Sequence, residues 1–238
     1  MRRFFGRIGG TDMNYLLVVA HPDDEVLGAG ATVKKLTEQG HNVDLCIMSA
    51  HAEARAFRAS DEELNSDLNE SAAMLGIRHK YEGSFPNIRM NNVDHIELVQ
   101  FIEKAIASSE PDVVITHHPA DTNNDHLHTS MACQAAIRLF QRRVGMKPLS
   151  ELWYFETLSS TEWSVNTSMN RFMPNTYVEV GKERIELKIK ALAAYRGVMR
   201  PYPHPRSAEA IMGLAAYRGA EPGCDYAEAF ECAFRRIV

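Results

Sequence analysis

The chain has 238 residues, of which 45% are hydrophobic, so it is long enough to bury a substantial core. Its 26 basic and 31 acidic residues give a formal net charge of −5, which argues against a nucleic acid or an acidic membrane as a partner bound by charge. The longest apolar runs, residues 15–20 and 112–116, are strand-sized and too short to cross a bilayer. We therefore expect a soluble protein with a small-molecule substrate.

The N-terminus and the cysteines favour a cytoplasmic protein. Residues 1–12 are positively charged but lack the apolar run of a secretory signal, so we expect a flexible leader, with Met13 as an alternative start, before one domain over residues 13–238. No cysteine belongs to a C-x-x-C pair, which favours reduced thiols. The cysteines are Cys46, Cys133, Cys224 and Cys232.

Short apolar runs alternate with amphipathic stretches through the first two thirds of the chain. The pattern predicts strands at residues 15–20, 42–48, 112–116 and 151–155, with helices near residues 25–39, 62–75, 94–108 and 127–141. This order is typical of βαβ units. It predicts an α/β, Rossmann-like fold with a mostly parallel, doubly wound sheet and helices on both faces.

A loop-rich stretch at residues 159–174 separates this pattern from the C-terminal part. Beyond it the sequence predicts a strand at residues 176–180 and helices near residues 182–195 and 207–217. We expect residues 176–238 to form a small cap over the carboxyl edge of the sheet, where open α/β sheets place their ligand crevice.

One imidazole and three carboxylates follow the first predicted strand, in the sequence His21-Pro22-Asp23-Asp24-Glu25. Carboxylates this close repel one another and raise one another's pKa unless a cation joins them, so a bound metal is the simplest explanation. Pro22 restricts His21 to an extended backbone and stiffens the turn. The motif therefore predicts metal ligands at the carboxyl end of this strand.

Two other interpretations explain less of this region. An acidic helix start, which caps free amides, accounts for Glu25 but gives His21 no role. A dinucleotide site would use Gly28 and Gly30, yet Val33 replaces its third glycine, and the glycines lie a turn beyond the strand end. We interpret the glycines as sites of close packing.

A second polar stretch runs from His117 to His128, directly after the predicted strand at residues 112–116. Because the carboxyl ends of parallel strands meet at one edge of a sheet, this stretch should lie beside the first motif. It contains four histidines, of which at least one is expected to reach the metal. For His117 and His128 a structural or exposed role stays equally open.

The motif His21-Pro-Asp-Asp-Glu with the later Asp125-His126 resembles the PIG-L or LmbE-like family of zinc-dependent N-acetyl sugar deacetylases. The resemblance covers nearly the whole chain. It extends through Phe85-Pro-Asn-Ile-Arg-Met, Ser159-Ser-Thr-Glu-Trp, Tyr202-Pro-His-Pro-Arg-Ser, Arg218-Gly and Tyr226-Ala-Glu-Ala-Phe. It implies a hydrolase that removes an acetyl group from an N-acetylglucosamine-type sugar or sugar conjugate, and a protein that forms a homo-oligomer.

At the matching positions, the resemblance implies a zinc ion held by His21, Asp24 and His126, with Asp23 as the general base. Asp125 is then the candidate to orient a ligand imidazole. Two histidines and one carboxylate also suit ferrous iron, so the same site is open to Fe²⁺.

Relatives often carry His-Pro before the Asp-His pair, where this chain has Asn123-Asn124. The role of a further histidine is therefore open to His118 or His204. We assign His204 the stabilisation of the oxyanion, in its own or a neighbouring subunit, and His118 a contact with the substrate.

Arginines supply the remaining candidates for substrate binding. Arg55, Arg58 and Arg89 are each suited to grip a sugar hydroxyl, a carboxylate or a phosphate, because a guanidinium offers a fork of donors. Surface salt bridges are the competing interpretation for each, and Arg89 is favoured because it lies in a segment that resembles the family's.

Three other functions remain open. An amidase acting on a thiol-sugar conjugate or another N-acyl compound would keep every residue role. A metallophosphoesterase would need further bridging carboxylates for two ions. A non-catalytic sugar-binding module would require an incomplete site, whereas both the base and the ligands are present. The sequence has no G-x-S-x-G elbow and no P-loop, which argues against a serine hydrolase and a P-loop nucleotidase.

Overall fold

The computed structural model describes residues 12–51, 60–164 and 171–237. The predicted leader lies almost entirely outside these ranges, as do Arg55 and Arg58. No helix in the described ranges has both the length and the apolar character needed to cross a bilayer.

Within those ranges, seven strands form one mixed sheet and six α-helices pack against it. The strands are β1 (Asn14–Val19), β2 (Asn42–Ile47), β3 (Lys80–Glu82), β4 (Val113–His117), β5 (Glu151–Phe155), β6 (Thr176–Glu179) and β7 (Ala227–Arg235). The helices are α1 (Asp24–Glu38), α2 (Asp61–Leu75), α3 (His95–Ser109), α4 (Asn124–Ala136), α5 (Gly181–Ala194) and α6 (Ala208–Ala220). Short 3₁₀ turns lie at Met90–Asn92 and Leu139–Gln141.

The strand order is β3-β2-β1-β4-β5-β7-β6. The first five strands in this order are parallel, and β7 runs antiparallel between β5 and β6. The chain proceeds outward from β1 to one side and from β4 to the other, so a crevice opens between their carboxyl ends. The predicted Rossmann-like, mostly parallel sheet is confirmed.

The central strand β1 is apolar on both faces because helices cover both sides of the sheet. Leu17 and Val19 belong to one buried cluster, with residues of α1, α2 and α5. Leu16 and Val18 belong to the other, with residues of α3 and α4. Packing between the two helix layers thus buries β1 on both faces and places its carboxyl end at the crevice.

Helix α1 is broken at Ala29, whose φ of −146° and ψ of 16° are not helical. A buried ion pair satisfies backbone groups on either side of the break. Glu228 on β7 accepts the amide of Thr32 at 2.6 Å, and Nζ of Lys188 on α5 donates to the carbonyl of Leu27 at 2.8 Å. The two side chains lie 2.6 Å apart and attach the first turns of α1 to β7 and α5.

Close packing against Gly28 also fixes α1. A Cβ at this position would lie 2.3 Å from the ring of Phe155 at the end of β5. The same ring lies edge-on to His117, with 4.8 Å between ring centroids. The glycine therefore allows α1 to approach β5, as expected from the sequence.

Several elements differ from the sequence prediction. Helix α4 begins at Asn124, earlier than predicted, because the side chain of Asn123 accepts the amide of Asp125 at 2.9 Å and caps the helix. Strands β3 and β7 were not predicted. The C-terminal part contributes more than a cap, since β6 and β7 extend the sheet beyond β5.

Candidate metal centre

The polar residues of both motifs meet at the carboxyl ends of β1 and β4. His21, Asp23 and Asp24 follow β1, while His117 ends β4 and His126 lies in the first turn of α4. All five side chains are buried. A buried cluster of this composition is costly unless its charges are paired or bind a metal.

His21, Asp24 and His126 each direct one potential ligand atom to a common point, and these atoms all lie within 4.8 Å of one another. Oδ2 of Asp24 lies 3.4 Å from Nδ1 of His21 and 3.3 Å from Nε2 of His126. Two imidazoles and one carboxylate form a three-ligand set of the kind found in catalytic zinc sites, which keep a further position open. The donor set therefore fits zinc.

A second carboxylate orients each of the two imidazoles. Oδ2 of Asp125 lies 2.9 Å from Nε2 of His21, and Oδ1 of Asp121 lies 3.1 Å from Nδ1 of His126. In both rings this leaves the opposite nitrogen facing Asp24. Carboxylates in this position fix the tautomer and orientation of ligand histidines in metal sites.

Asp125 is held by residues Phe85–Met90, the segment of this chain that resembles the family. The amides of Ile88 and Met90 both donate to its carboxylate, the second at 3.0 Å. Ile88 adopts a φ of 60°, which is unusual for a β-branched residue and turns its amide towards Asp125. The family-like segment thus fixes the carboxylate behind His21.

Asp121 is held by the turn that follows β5. The hydroxyls of Ser160 and Thr161 both donate to its carboxylate, the latter at 2.7 Å. Burial by itself raises the pKa of Asp121, but the hydrogen bond and charge of His126 outweigh it and lower the pKa to about 2. Asp121 is therefore an ionised partner of His126.

The carboxylates of the cluster stabilise the protonated form of His126, and His126 stabilises the ionised form of Asp24. Burial disfavours ionisation of His126, yet Asp24 and Asp121 raise its pKa to about 10. Burial likewise opposes ionisation of Asp24, but the charge of His126 outweighs it and lowers the pKa of Asp24. Asp24 is therefore ionised, and an ionised carboxylate between two imidazoles can bind a metal cation.

His117 forms a wall of the site. Its ring stacks on that of His126, with 3.9 Å between centroids and 19° between planes. Burial lowers its pKa to about 4, so the ring is neutral. Its Nε2 accepts the amide of Ala20 at 3.0 Å.

A second group, His117, Asp121 and His126, also lies within the distance that allows a shared ion. We prefer the group with His21 and Asp24. The first group has a separate carboxylate behind each imidazole, whereas the second would use Asp121 as a ligand and leave His126 without one.

Asp23 precedes α1 in a left-handed conformation, with φ 100° and ψ −26°. Its side chain makes no capping hydrogen bond, so the acidic helix start does not explain it. Oδ2 of Asp23 lies 3.5 Å from Nη1 of Arg206, whose Nε donates to Ser159 at 2.7 Å. This conformation of Asp23, whose buried carboxylate lies between two candidate ligands in the sequence, costs about 1–3 kcal/mol.

Glu25 supports this strained turn from behind. Its Oε2 accepts the amide of Asp23 at 3.0 Å, and its Oε1 accepts the hydroxyl of Tyr195 at 2.5 Å. Burial raises the pKa of Glu25 to about 8. Glu25 thus joins Asp23 to the end of α5, a role beyond the capping expected for it.

His204 lies in the loop between α5 and α6. Its Nδ1 accepts the amide of Arg206 at 3.0 Å, and its ring lies 6.1 Å from that of Trp163. Burial and the nearby charge of Arg206 lower its pKa. Among the described residues it has no hydrogen bond or ion pair with the three candidate ligands; Arg206, which we did not single out in the sequence, is the residue of this loop that reaches Asp23.

The predicted substrate-binding residues lie in different places. His118 points away from the ligand set, towards Tyr154 and Phe172, and its Nε2 lies 3.3 Å from Glu231. Arg89 is exposed, between the two amides that hold Asp125. Arg55 lies outside the described residues.

A profile of the PIG-L family, described as GlcNAc-PI de-N-acetylase, matches residues 16–137, which are just over half of the chain. The chain belongs to the PIG-L family. The matched range contains all three candidate ligands, His21, Asp24 and His126, together with Asp121 and Asp125.

The chain is also similar to individual proteins with related sequences or folds. The uncharacterized deacetylase YaiS of Escherichia coli K12 is 26% identical over 184 residues, which are 76% of this chain and 89% of YaiS. N,N′-diacetylchitobiose deacetylase from Pyrococcus horikoshii superposes with a TM-score of 0.73 at 21% identity, over 93% of this chain and 84% of that one.

A second similar structure shows that this fold is not confined to deacetylases. GalB, the 4-carboxy-2-hydroxymuconate hydratase of Pseudomonas putida KT2440, superposes with a TM-score of 0.72 at 20% identity, over 95% of this chain and 98% of that one. Deacetylases and a hydratase therefore share this PIG-L fold. The reaction has to be argued from the site.

Proposed function

We propose that this protein is a zinc-dependent N-deacetylase that hydrolyses the acetamide of an N-acetylglucosamine-type sugar or sugar conjugate. The convergence of the buried side chains of His21, Asp24 and His126 is the observation that carries the proposal, and the buried Asp23 lies between two of them in the sequence. The description of the PIG-L family and the substrate named for the chitobiose deacetylase support the substrate class.

In this proposal Nδ1 of His21, Oδ2 of Asp24 and Nε2 of His126 hold the metal. Zinc held there would polarise the amide carbonyl and make a bound water acidic near neutral pH. Asp125 and Asp121 keep the two imidazoles in the required tautomers. Fe²⁺ suits the same donors, so the identity of the ion is part of what has to be measured.

Asp23 moves the proton. Its carboxylate accepts a proton from the attacking water and returns it to the amide nitrogen, so that water and the amide become acetate and a free amine. Arg206, anchored by Ser159, lies 3.5 Å from Oδ2 of Asp23 through its Nη1 and orients the carboxylate.

His204 is proposed as the donor to the oxyanion. Because its Nδ1 accepts the amide of Arg206, the proton of the neutral ring lies on Nε2 and can be donated. Arg89 and Arg55 are retained as proposed contacts for the polar groups of the substrate. The surroundings of His118 give no support to a substrate contact, and we do not propose one.

The direct test measures acetate release from a panel of N-acetylglucosamine, N,N′-diacetylchitobiose, an N-acetylglucosaminyl inositol and an N-acetyl thiol conjugate. We expect acetate and free amine in equal amounts, loss of activity with a chelator and recovery with zinc. No acetate from any N-acetyl compound, or full activity after the metal is removed, would contradict the proposal. Activity only on the thiol conjugate would favour the alternative amidase.

Variants separate the roles of the residues. Asp23→Asn should keep its metal and lose about 10²–10⁴-fold in turnover. His126→Ala should lose both metal and turnover, whereas His128→Ala, two positions along the same helix, should lose neither. Two ions per chain would instead favour a metallophosphoesterase.

Location and assembly belong to the same proposal. All four cysteines are free, which supports a reducing, cytoplasmic location. We also propose a homo-oligomer, to be checked by light scattering coupled to gel filtration. A monomer would require His204 to act within its own chain.

A further inference from the structure

The turn at residues 157–164 contacts several parts of the candidate site. Thr157 lies 3.4 Å from Nδ1 of His117, and Ser160 lies 3.5 Å from Nδ1 of His126. Ser159 accepts the guanidinium of Arg206. This turn is therefore built around the site.

The turn ends on an exposed aromatic side chain. Trp163 is 52% exposed, although its amide is fixed by the carbonyl of Ser160 at 3.2 Å. The edge of its ring meets His204, with 6.1 Å between centroids and 76° between planes. A large apolar ring that is exposed beside His204, the proposed donor to the oxyanion, is not explained by packing of the core.

We propose that Trp163 is the surface on which the pyranose ring of the substrate stacks, an inference that rests on the proposed function. The face of an indole is electron-rich, and the axial C–H bonds of a sugar carry partial positive charge, so the two surfaces attract. The stacked ring would then present its acetamide to Asp23 and His204. Trp163 thus selects N-acetyl groups carried on a sugar ring.

The turn keeps the platform in place before the substrate arrives. The carboxylate of Glu162 accepts the amides of Ser159 and Ser160, the latter at 3.1 Å. His204 contacts one edge of the indole. Because the backbone that carries the indole is already ordered by these bonds, stacking on Trp163 costs less entropy than stacking on a residue of a mobile loop would.

The kinetic test compares a ring-bearing substrate with an acyclic one that has the same acetamide. Trp163→Leu should raise KM for N-acetylglucosamine conjugates by about five-fold, with a smaller change in kcat. Its selectivity for them over N-acetylethanolamine should fall. Trp163→Phe should recover much of the loss. Phe234→Leu is the control, since Phe234 is an exposed aromatic at the opposite edge of the sheet.

A binding test needs no turnover. The chain has two tryptophans, so Trp153→Phe leaves Trp163 as the sole indole emitter. Titration with N,N′-diacetylchitobiose should change its emission, whereas Trp163→Phe, which retains Trp153, should show no change.

The outcomes are separable. Emission that stays constant with every sugar of the panel, or unchanged selectivity in Trp163→Leu, overturns the platform while leaving the deacetylase intact. Sugar-dependent emission in a protein that releases no acetate supports the platform and overturns the proposed function alone.

Discussion

Oδ1 of Asp121 lies 3.1 Å from Nδ1 of His126 and so orients the ring with Nε2 towards Asp24. The pair is matched by Asp125 and His21 on the other side of the site. Each ligand histidine of the proposed site therefore has its own carboxylate: Asp121 comes from the loop between β4 and α4, and Asp125 from the first turn of α4.

Asp121→Asn should weaken zinc binding by about 10–100-fold, because the amide cannot stabilise the orientation or basicity of His126 as the carboxylate does. Competition with a chromophoric chelator measures the effect. Asp94→Asn, an exposed aspartate without a capping hydrogen bond, is the control. Equal zinc affinity in wild type and Asp121→Asn would show that this carboxylate does not tune the ligand.

The left-handed conformation of Asp23 predicts that the backbone is strained at this position. Asp23→Gly should be more stable than Asp23→Ala by about 1 kcal/mol, because glycine adopts a φ of 100° without a Cβ clash and alanine does not. Urea denaturation of the two variants isolates the strain, since both lack the carboxylate. Equal stabilities would mean that the turn is not strained.

Glu25 predicts a pH dependence of stability in the metal-free protein. Burial raises its pKa from 4.5 to about 8, so the folded state holds a proton that the unfolded state releases. The contribution of Glu25 to the free energy of unfolding therefore falls as pH rises from about 4.5 to about 8, and it changes no further above that. Glu25→Gln should remove this component, which is on the order of a few kcal/mol. Urea denaturation from pH 5 to pH 8 is the measurement, and parallel curves for the two proteins would refute it.

The ion pair of Lys188 and Glu228 predicts a large effect on stability. Lys188→Met leaves a buried carboxylate unpaired and the carbonyl of Leu27 without its donor, at a cost of about 3–5 kcal/mol. Lys190→Met, an exposed change in the same helix, should cost far less. A loss below about 1 kcal/mol for Lys188→Met, measured by urea denaturation, would contradict this role for the pair.

The sequence predicts the parallel part of the sheet well because its strands are continuous apolar runs between amphipathic helices. It fails for β3, which is short and polar, and for β7, in which Glu228 and Glu231 interrupt the apolar residues near the C-terminus. Pairing of β7 with β5 and β6 depends on contacts between distant parts of the chain, which local patterns do not carry.

The two motifs predict which residues reach the carboxyl edge, but only partly how they are oriented. His117 and His118 follow each other at the end of a strand and therefore point to opposite faces. This alternation already separates them in the sequence. The partnership of Asp121 with Ser160 and Thr161, and that of Arg206 with Asp23, arise from loops whose course the sequence does not reveal.

The most direct test of the account is the location of zinc in a crystal of the protein, by anomalous scattering at the zinc edge. We predict one ion per chain, within about 2.0–2.2 Å of Nδ1 of His21, Oδ2 of Asp24 and Nε2 of His126. An ion bound by His117 and Asp121 in place of His21 and Asp24, or no ion at this edge of the sheet in zinc-saturated crystals, would contradict it.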